Sequence, residues 1–148
     1  MAAALKIRID ALRVIEKHAQ QFPAEEVCGL LAGKNGIVEL ALRTLNASVK
    51  PAVEYQIAPV ELFAAMRAIR DAGMQFMGIY HSHPNGTGEP SARDVDEANY
   101  PHVAYVIATV PEDGTVNVRA FSIRDGAVEE MAIEVTSGST PVPSARRR

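Results

Sequence analysis

The sequence has little cysteine, no dominant charge and no long apolar run. Its single cysteine, Cys28, among 148 residues excludes an intramolecular disulfide framework and fits a reducing compartment. The formal net charge of −3, from 15 basic and 18 acidic residues, gives no electrostatic reason to expect nucleic-acid binding. Three of the basic residues (Arg146, Arg147, Arg148) stand together at the C-terminal end. The opening Met1-Ala2-Ala3-Ala4-Leu5 is interrupted by Lys6, Arg8 and Asp10, which leaves neither a signal core nor a membrane span. A soluble, cytoplasmic protein is therefore expected, without membrane or nucleic-acid partners. A homo-oligomer is left open.

What is present reads as one globular domain. Alternation over residues 5–9 predicts a short first strand, and from Asp10, a candidate N-cap, Leu12, Val14, Ile15, Ala19 and Phe22 recur at helical spacing. Two apolar runs, 27–32 and 37–42, flank Asn35-Gly36, a hairpin signal. Residues 54–58 read as a strand. Pro59 suits the first position of a helix running toward Gly73. Residues 76–83 have a buried-strand pattern, 103–110 form another apolar strand, and 116–123 with 128–135 form a last hairpin turning at Asp125-Gly126. The predicted class is α+β, a mixed sheet flanked by helices, over residues 1–135. Residues 136–148, rich in Ser and Pro, read as a flexible tail.

The chemistry converges on His81-Ser82-His83. On a strand, residues i and i+2 share a face, so both imidazoles can reach one ion where the strand gives way to a loop. Eleven residues later Asp94 lies in Ser91-Ala92-Arg93-Asp94, a helix-start signature that puts its carboxylate in a first turn. Singly, a His-x-His pair or a Ser-x-x-Asp cap is commonplace. In this order they make a two-His, one-carboxylate set, and zinc with three protein ligands keeps a position for water. Cys28, without a paired histidine, reads as a small packed residue, His18 and His102 as incidental, and Arg93 as a solvated helix arginine.

The arrangement His81-Ser82-His83-Pro84 followed by Ser91-Ala92-Arg93-Asp94 resembles the JAMM family, also called MPN-plus or Mov34-type metalloproteases. In that family a glutamate commonly lies two residues before a small residue followed by glycine. Glu26-Val27-Cys28-Gly29 matches, which selects Glu26 over Glu25 as the catalytic acid/base. Asn46-Ala47, Tyr55-Gln56-Ile57, Gly78-Ile79-Tyr80 and Tyr105-Val106-Ile107 also resemble small bacterial members.

The resemblance implies a three-layer sandwich similar in layout to the cytidine deaminases. It implies a zinc ion (Zn2+) on His81, His83 and Asp94, and hydrolysis of a peptide or isopeptide bond. Ser91 is implied as an oxyanion donor, a role that competes with capping for one hydroxyl. The implied substrate is a ubiquitin-like sulfur-carrier protein, cut after its C-terminal Gly-Gly. A non-catalytic MPN-type binding module and a zinc hydrolase of another substrate class are the alternatives. A zinc deaminase is excluded, because one cysteine cannot supply its two thiolates.

Overall fold

The computed structural model describes residues 3–84 and 86–137. Among them are, in chain order, β1 (Leu5–Arg8), α1 (Ile9–Gln21), β2 (Cys28–Lys34), β3 (Ile37–Thr44), α2 (Pro59–Asp71), β4 (Gln75–His83), α3 (Ala92–Asp96), β5 (Ala104–Thr109), β6 (Asn117–Arg124), β7 (Ala127–Met131) and β8 (Ile133–Thr136). The strands form one mixed sheet in the order β7-β6-β5-β4-β2-β3-β1-β8. The β4–β5, β1–β3 and β1–β8 pairs are parallel and the others antiparallel. None of the described helices is long and apolar enough to cross a membrane.

Alternation sorts the strand residues between two cores. Leu31, Tyr80 and Val106 face α1, where they meet Ala11, Ile15 and Ala19. Their neighbours Leu30, Ile79 and Ile107 face the other way, onto Ile69, Leu62 and Met66 of α2 and Val95 of α3. The helices thus lie on both faces, which is the mixed sheet flanked by helices that the sequence predicts.

β7 and β8 stand at opposite ends of the sheet, yet only Ala132 separates them in the chain. The ends must therefore approach one another, and the carbonyl of Ala132 accepts from the amide of Leu5 at 2.8 Å. The right-handed twist of successive strands, accumulated over eight of them, curls the sheet around α1. α1 accordingly touches β1, β3, β4, β5 and β8.

The local signals held where turn chemistry was explicit. Asn35 and Gly36 both have positive φ, 55° and 77°, as a two-residue hairpin demands. Pro59 opens α2. Three readings need correction. α1 starts at Ile9 with Arg8 as N-cap, so Asp10 is not the cap but a first-turn residue. Its carboxylate accepts from the amide of Ala11 and from the Arg8 guanidinium, a favourable place for negative charge. Residues 54–58 form no strand, because no neighbouring strand is available to pair with them. The run 128–135 is two strands, since the chain leaves β6 after Met131 and joins β1 from Ile133. Thr136 pairs with Arg8, and the predicted tail from 138 to 148 lies outside the described residues.

His18 is structural. Its Nδ1 lies 2.7 Å from the Tyr80 hydroxyl, and it is buried on the core side of α1. Burial pushes its pKa down to about 4, with the Arg43 charge adding to the effect. The unfolded chain, with a histidine pKa near 6.5, binds this proton more readily than the native protein does. The neutral side chain's contribution is complete above about pH 6.5 and is lost as pH falls toward 4. Tm measured from pH 7 to 4.5 should fall, and His18→Gln should flatten that fall by a few degrees. An unchanged pH slope in the variant would show that His18 does not carry it.

Candidate metal centre

The site forms where β2 and β4 run out together. Their antiparallel ladder pairs Gly29 with Tyr80 and Cys28 with His81. Gly29 permits the close approach, since a Cβ there would collide with the Tyr80 ring and the Leu42 carbonyl. Beyond Cys28 the pairing continues through one bond, from the Ser82 amide to the Val27 carbonyl, at 3.0 Å. The Ser82 hydroxyl accepts from the Val27 amide at 2.9 Å and donates to the Glu25 carbonyl at 3.3 Å. Ser82, the central residue of His-x-His, thereby fastens the segment that carries Glu26 to the strand that carries the histidines.

Glu26 is held on its other side as well. Its amide donates to the Pro51 carbonyl at 2.7 Å, and its carbonyl accepts from the Asn46 side chain at 2.9 Å. Its side chain is buried, whereas Glu25 is exposed, so only Glu26 is turned toward the cluster's side of the sheet.

His81, His83 and Asp94 come together as one group able to hold a metal ion. The Nε2 atoms of the two histidines are 3.0 Å apart, and the Asp94 Oδ2 lies 3.3 Å from that of His81 and 3.0 Å from that of His83. A tetrahedral ion with ligand bonds of about 2.0–2.1 Å needs donor separations of roughly 3.3 Å, so this triangle is close to the edge length required. Thr87 fixes the ring of His83 by accepting from its Nδ1 at 2.8 Å, the outer-shell contact usual for a ligand imidazole. Asp94 is placed by the capping box. The Ser91 hydroxyl accepts from the Asp94 amide at 3.0 Å, and Asp94 Oδ2 accepts from the Ser91 amide at 2.9 Å.

Capping consumes a lone pair of the Ser91 hydroxyl and leaves its proton free. Cap and donor are therefore compatible at one oxygen. Ser91, Glu26 and His83 line one cavity of about 360 Å³ together with Thr87 and Val53. A second cavity, of about 340 Å³, is lined by Tyr55, Ile57, Arg93 and Tyr100 among others.

Electrostatics separates the two buried carboxyls. Burial raises the pKa of Glu26 to about 7; the His83 charge opposes this, and the Asp94 and Glu54 charges add to it. Its Oε1 is buried with no hydrogen-bond partner. Burial also acts upward on Asp94, but hydrogen bonds from His81 and His83 outweigh it and hold that carboxyl well below the usual range. The two buried carboxyls are thus driven apart, Glu26 toward the protonated form and Asp94 toward the ionised one.

The remaining candidates fall outside the chemistry. The Cys28 thiol is fully buried, accepts from the Thr44 hydroxyl, and is pushed up to about 11 by burial, the opposite of an activated nucleophile. His102 is exposed. Arg93 is half exposed and paired with Glu97 at 3.2 Å and Glu54 at 3.5 Å. Reading the sequence assigned no role to Ser82, Asn46 or Thr87: the bonds of Ser82 and Asn46 reach residues distant in sequence, and that of Thr87 closes a loop onto His83.

Comparison with known proteins identifies the family. Residues 9–124 match the model of prokaryotic homologues of the JAB domain. A desampylase of Haloferax volcanii is 36% identical over 71% of this chain and 80% of its own. A CysO-cysteine peptidase of Mycobacterium tuberculosis is 33% identical over 88% of this chain and 90% of its own. The crystal structure of a JAB1/MPN domain protein from Archaeoglobus fulgidus superposes with a TM-score of 0.61 at 21% identity, covering 91% of this chain and 99% of that one, which shows the shared fold. The chain belongs to the JAMM, or MPN-plus, family of metallopeptidases, in its prokaryotic JAB branch.

Proposed function

We propose that the protein is a zinc-dependent peptidase that hydrolyses the bond after the C-terminal Gly-Gly of a ubiquitin-like sulfur-carrier protein. The observation that carries the hydrolytic reading is the buried, unpartnered Oε1 of Glu26, whose side chain shares a cavity with His83 and Ser91 beside three metal donors. His81, His83 and Asp94 would hold the ion. Zinc held there would supply Lewis-acid chemistry and would make the attacking water more acidic. Glu26 accepts a proton from the attacking water and returns it to the leaving amine, the exchange its raised pKa suits. The Ser91 proton, free of the cap, is donated to the carbonyl oxygen as that atom gains charge. A reducing cytoplasm fits the single buried thiol.

The substrate rests on the resemblance to small bacterial members and on the relative named for cleaving CysO-cysteine. An extended Gly-Gly tail, with no side chains to exclude, suits passage into a narrow cleft. Main-chain hydrogen bonds along a strand edge would hold it.

Two measurements separate the parts. Glu26→Gln should keep about one zinc per chain by metal analysis while its turnover falls at least ~100-fold. His83→Ala should lose the zinc. Wild-type turnover in the first variant, or full zinc in the second, would remove that residue from its role. For the substrate, carrier proteins ending in Gly-Gly plus further residues should be incubated with each protein and weighed by mass spectrometry. Wild type should trim them back to Gly-Gly, and Glu26→Gln should not. If zinc-loaded wild type trims none, the sulfur-carrier assignment is refuted and the metal site stands.

A further inference from the structure

The two ligand histidines are held in different ways. A metal-bound imidazole must be fixed in rotation about its ring axis, usually by a hydrogen bond to the nitrogen that does not bind the metal. His83 has that bond, to the Thr87 carbonyl. His81 does not: its Nδ1 is buried and has no hydrogen-bond partner. Its ring instead lies on that of Tyr55, with centroids 4.5 Å apart and planes inclined by 24°. This is a stacked pair within the range that contributes beyond simple burial.

Tyr55 belongs to residues 54–58, which no strand supports, so something else must fix its ring. Asn46 does this from both sides. Its amide nitrogen donates to the Glu54 carbonyl at 2.9 Å, and its amide oxygen accepts from the Gln56 amide at 3.1 Å. The Gln56 carbonyl accepts in turn from the Ala47 amide at 2.7 Å. The second hydrogen of the same amide nitrogen goes to the Glu26 carbonyl, and the oxygen's second lone pair to the Ser48 amide. Every donor and acceptor of the Asn46 amide is used. One side chain therefore ties the backbone on both sides of Tyr55 to the residue that carries the base.

We propose that Tyr55, clamped by Asn46, is the positioning residue for the ligand His81, taking by stacking the part that the Thr87 carbonyl plays for His83. The inference rests on the metal reading above and is independent of the substrate. The ring face is what matters, so Tyr55→Phe should preserve the function and Tyr55→Leu should remove it. In Asn46→Ser the ring is retained but its support is lost.

The test is zinc affinity of the full chain, measured by competition with a chromophoric chelator, without substrate and well below each variant's Tm. Tyr55→Phe should bind within about twofold of wild type. Tyr55→Leu should bind ~10-fold or more weakly, the range found when a ligand loses its orienting partner. Asn46→Ser should fall between them. A purely structural role would lower Tm without this order of affinities. Wild-type affinity in Tyr55→Leu overturns the proposal, and should that variant fail to fold, wild-type affinity in Asn46→Ser does so. The predicted order, observed in protein that cleaves no carrier, upholds the proposal while refuting the substrate. Wild type that binds no zinc refutes both this proposal and the metal reading.

Discussion

The antiparallel pairing of β2 with β4 is the constraint on which the site depends. It sets Cys28 opposite His81, and Ser82 carries the pairing one step further to Val27. Because successive strand residues point to opposite faces, this register alone decides that His81 and His83 share a side while Tyr80 and Ser82 turn away. A slip of one residue would send both imidazoles into the α1 core and expose Tyr80. Gly29 and Tyr80 guard against that slip, since the ring occupies the space that only a glycine leaves. The His18–Tyr80 hydrogen bond then anchors the same ring to α1. Packing on the far face of the sheet thus fixes the geometry of the near face.

Much of this was legible in the sequence, and the legible parts share a cause. His81, His83, Asp94 and the Ser91 cap are read from short spacings, because strand alternation and the first helical turn are local geometry. Asn35-Gly36 and Pro59 are equally local, each dictated by its own backbone preference. Two of the three misreadings needed information from elsewhere in the chain; the third placed the start of α1 two residues late. Residues 54–58 have strand-like composition but no neighbour to pair with, and the Asn46 amide replaces the missing ladder. Residues 128–135 keep one pattern throughout, although the chain passes from one end of the sheet to the other at Ala132. Glu26 needed the family pattern for its selection. Its burial, which distinguishes it from Glu25, accompanies backbone bonds of Glu26 to Pro51 and Asn46 and of its neighbour Val27 to Ser82, all far away in sequence.

The capping box shows how local and distant demands meet at one residue. Asp94 is asked to cap α3 through the Ser91 amide and to face two histidines with the same Oδ2. A carboxylate oxygen has lone pairs for both, so the cap stabilises a short helix and turns the carboxylate toward the histidines at once. Five residues of helix are too few to persist by propensity. α3 is held by its cap and by Val95 packing under it against the sheet. The position of the Asp94 carboxylate is consequently tied to the core through Val95.

Division of labour between the two carboxyls follows from their partners, since both are largely withdrawn from solvent. Asp94 Oδ2 accepts from the Ser91 amide and stands close to the Nε2 atoms of both imidazoles. Each favours the ionised form, and together they overcome desolvation. Glu26 has its backbone satisfied and its Oε1 left bare, so desolvation governs its proton. Placing an unsatisfied carboxyl in a buried position costs stability, and such a cost is tolerated where the group has a task. A cation held by the neighbouring ligands would draw Glu26 toward the ionised state by simple attraction. The same carboxyl would then act as a base before bond cleavage and as an acid after it, provided its proton affinity lies between the two demands. Burial without a partner raises that affinity, and the charge of a bound cation would lower it.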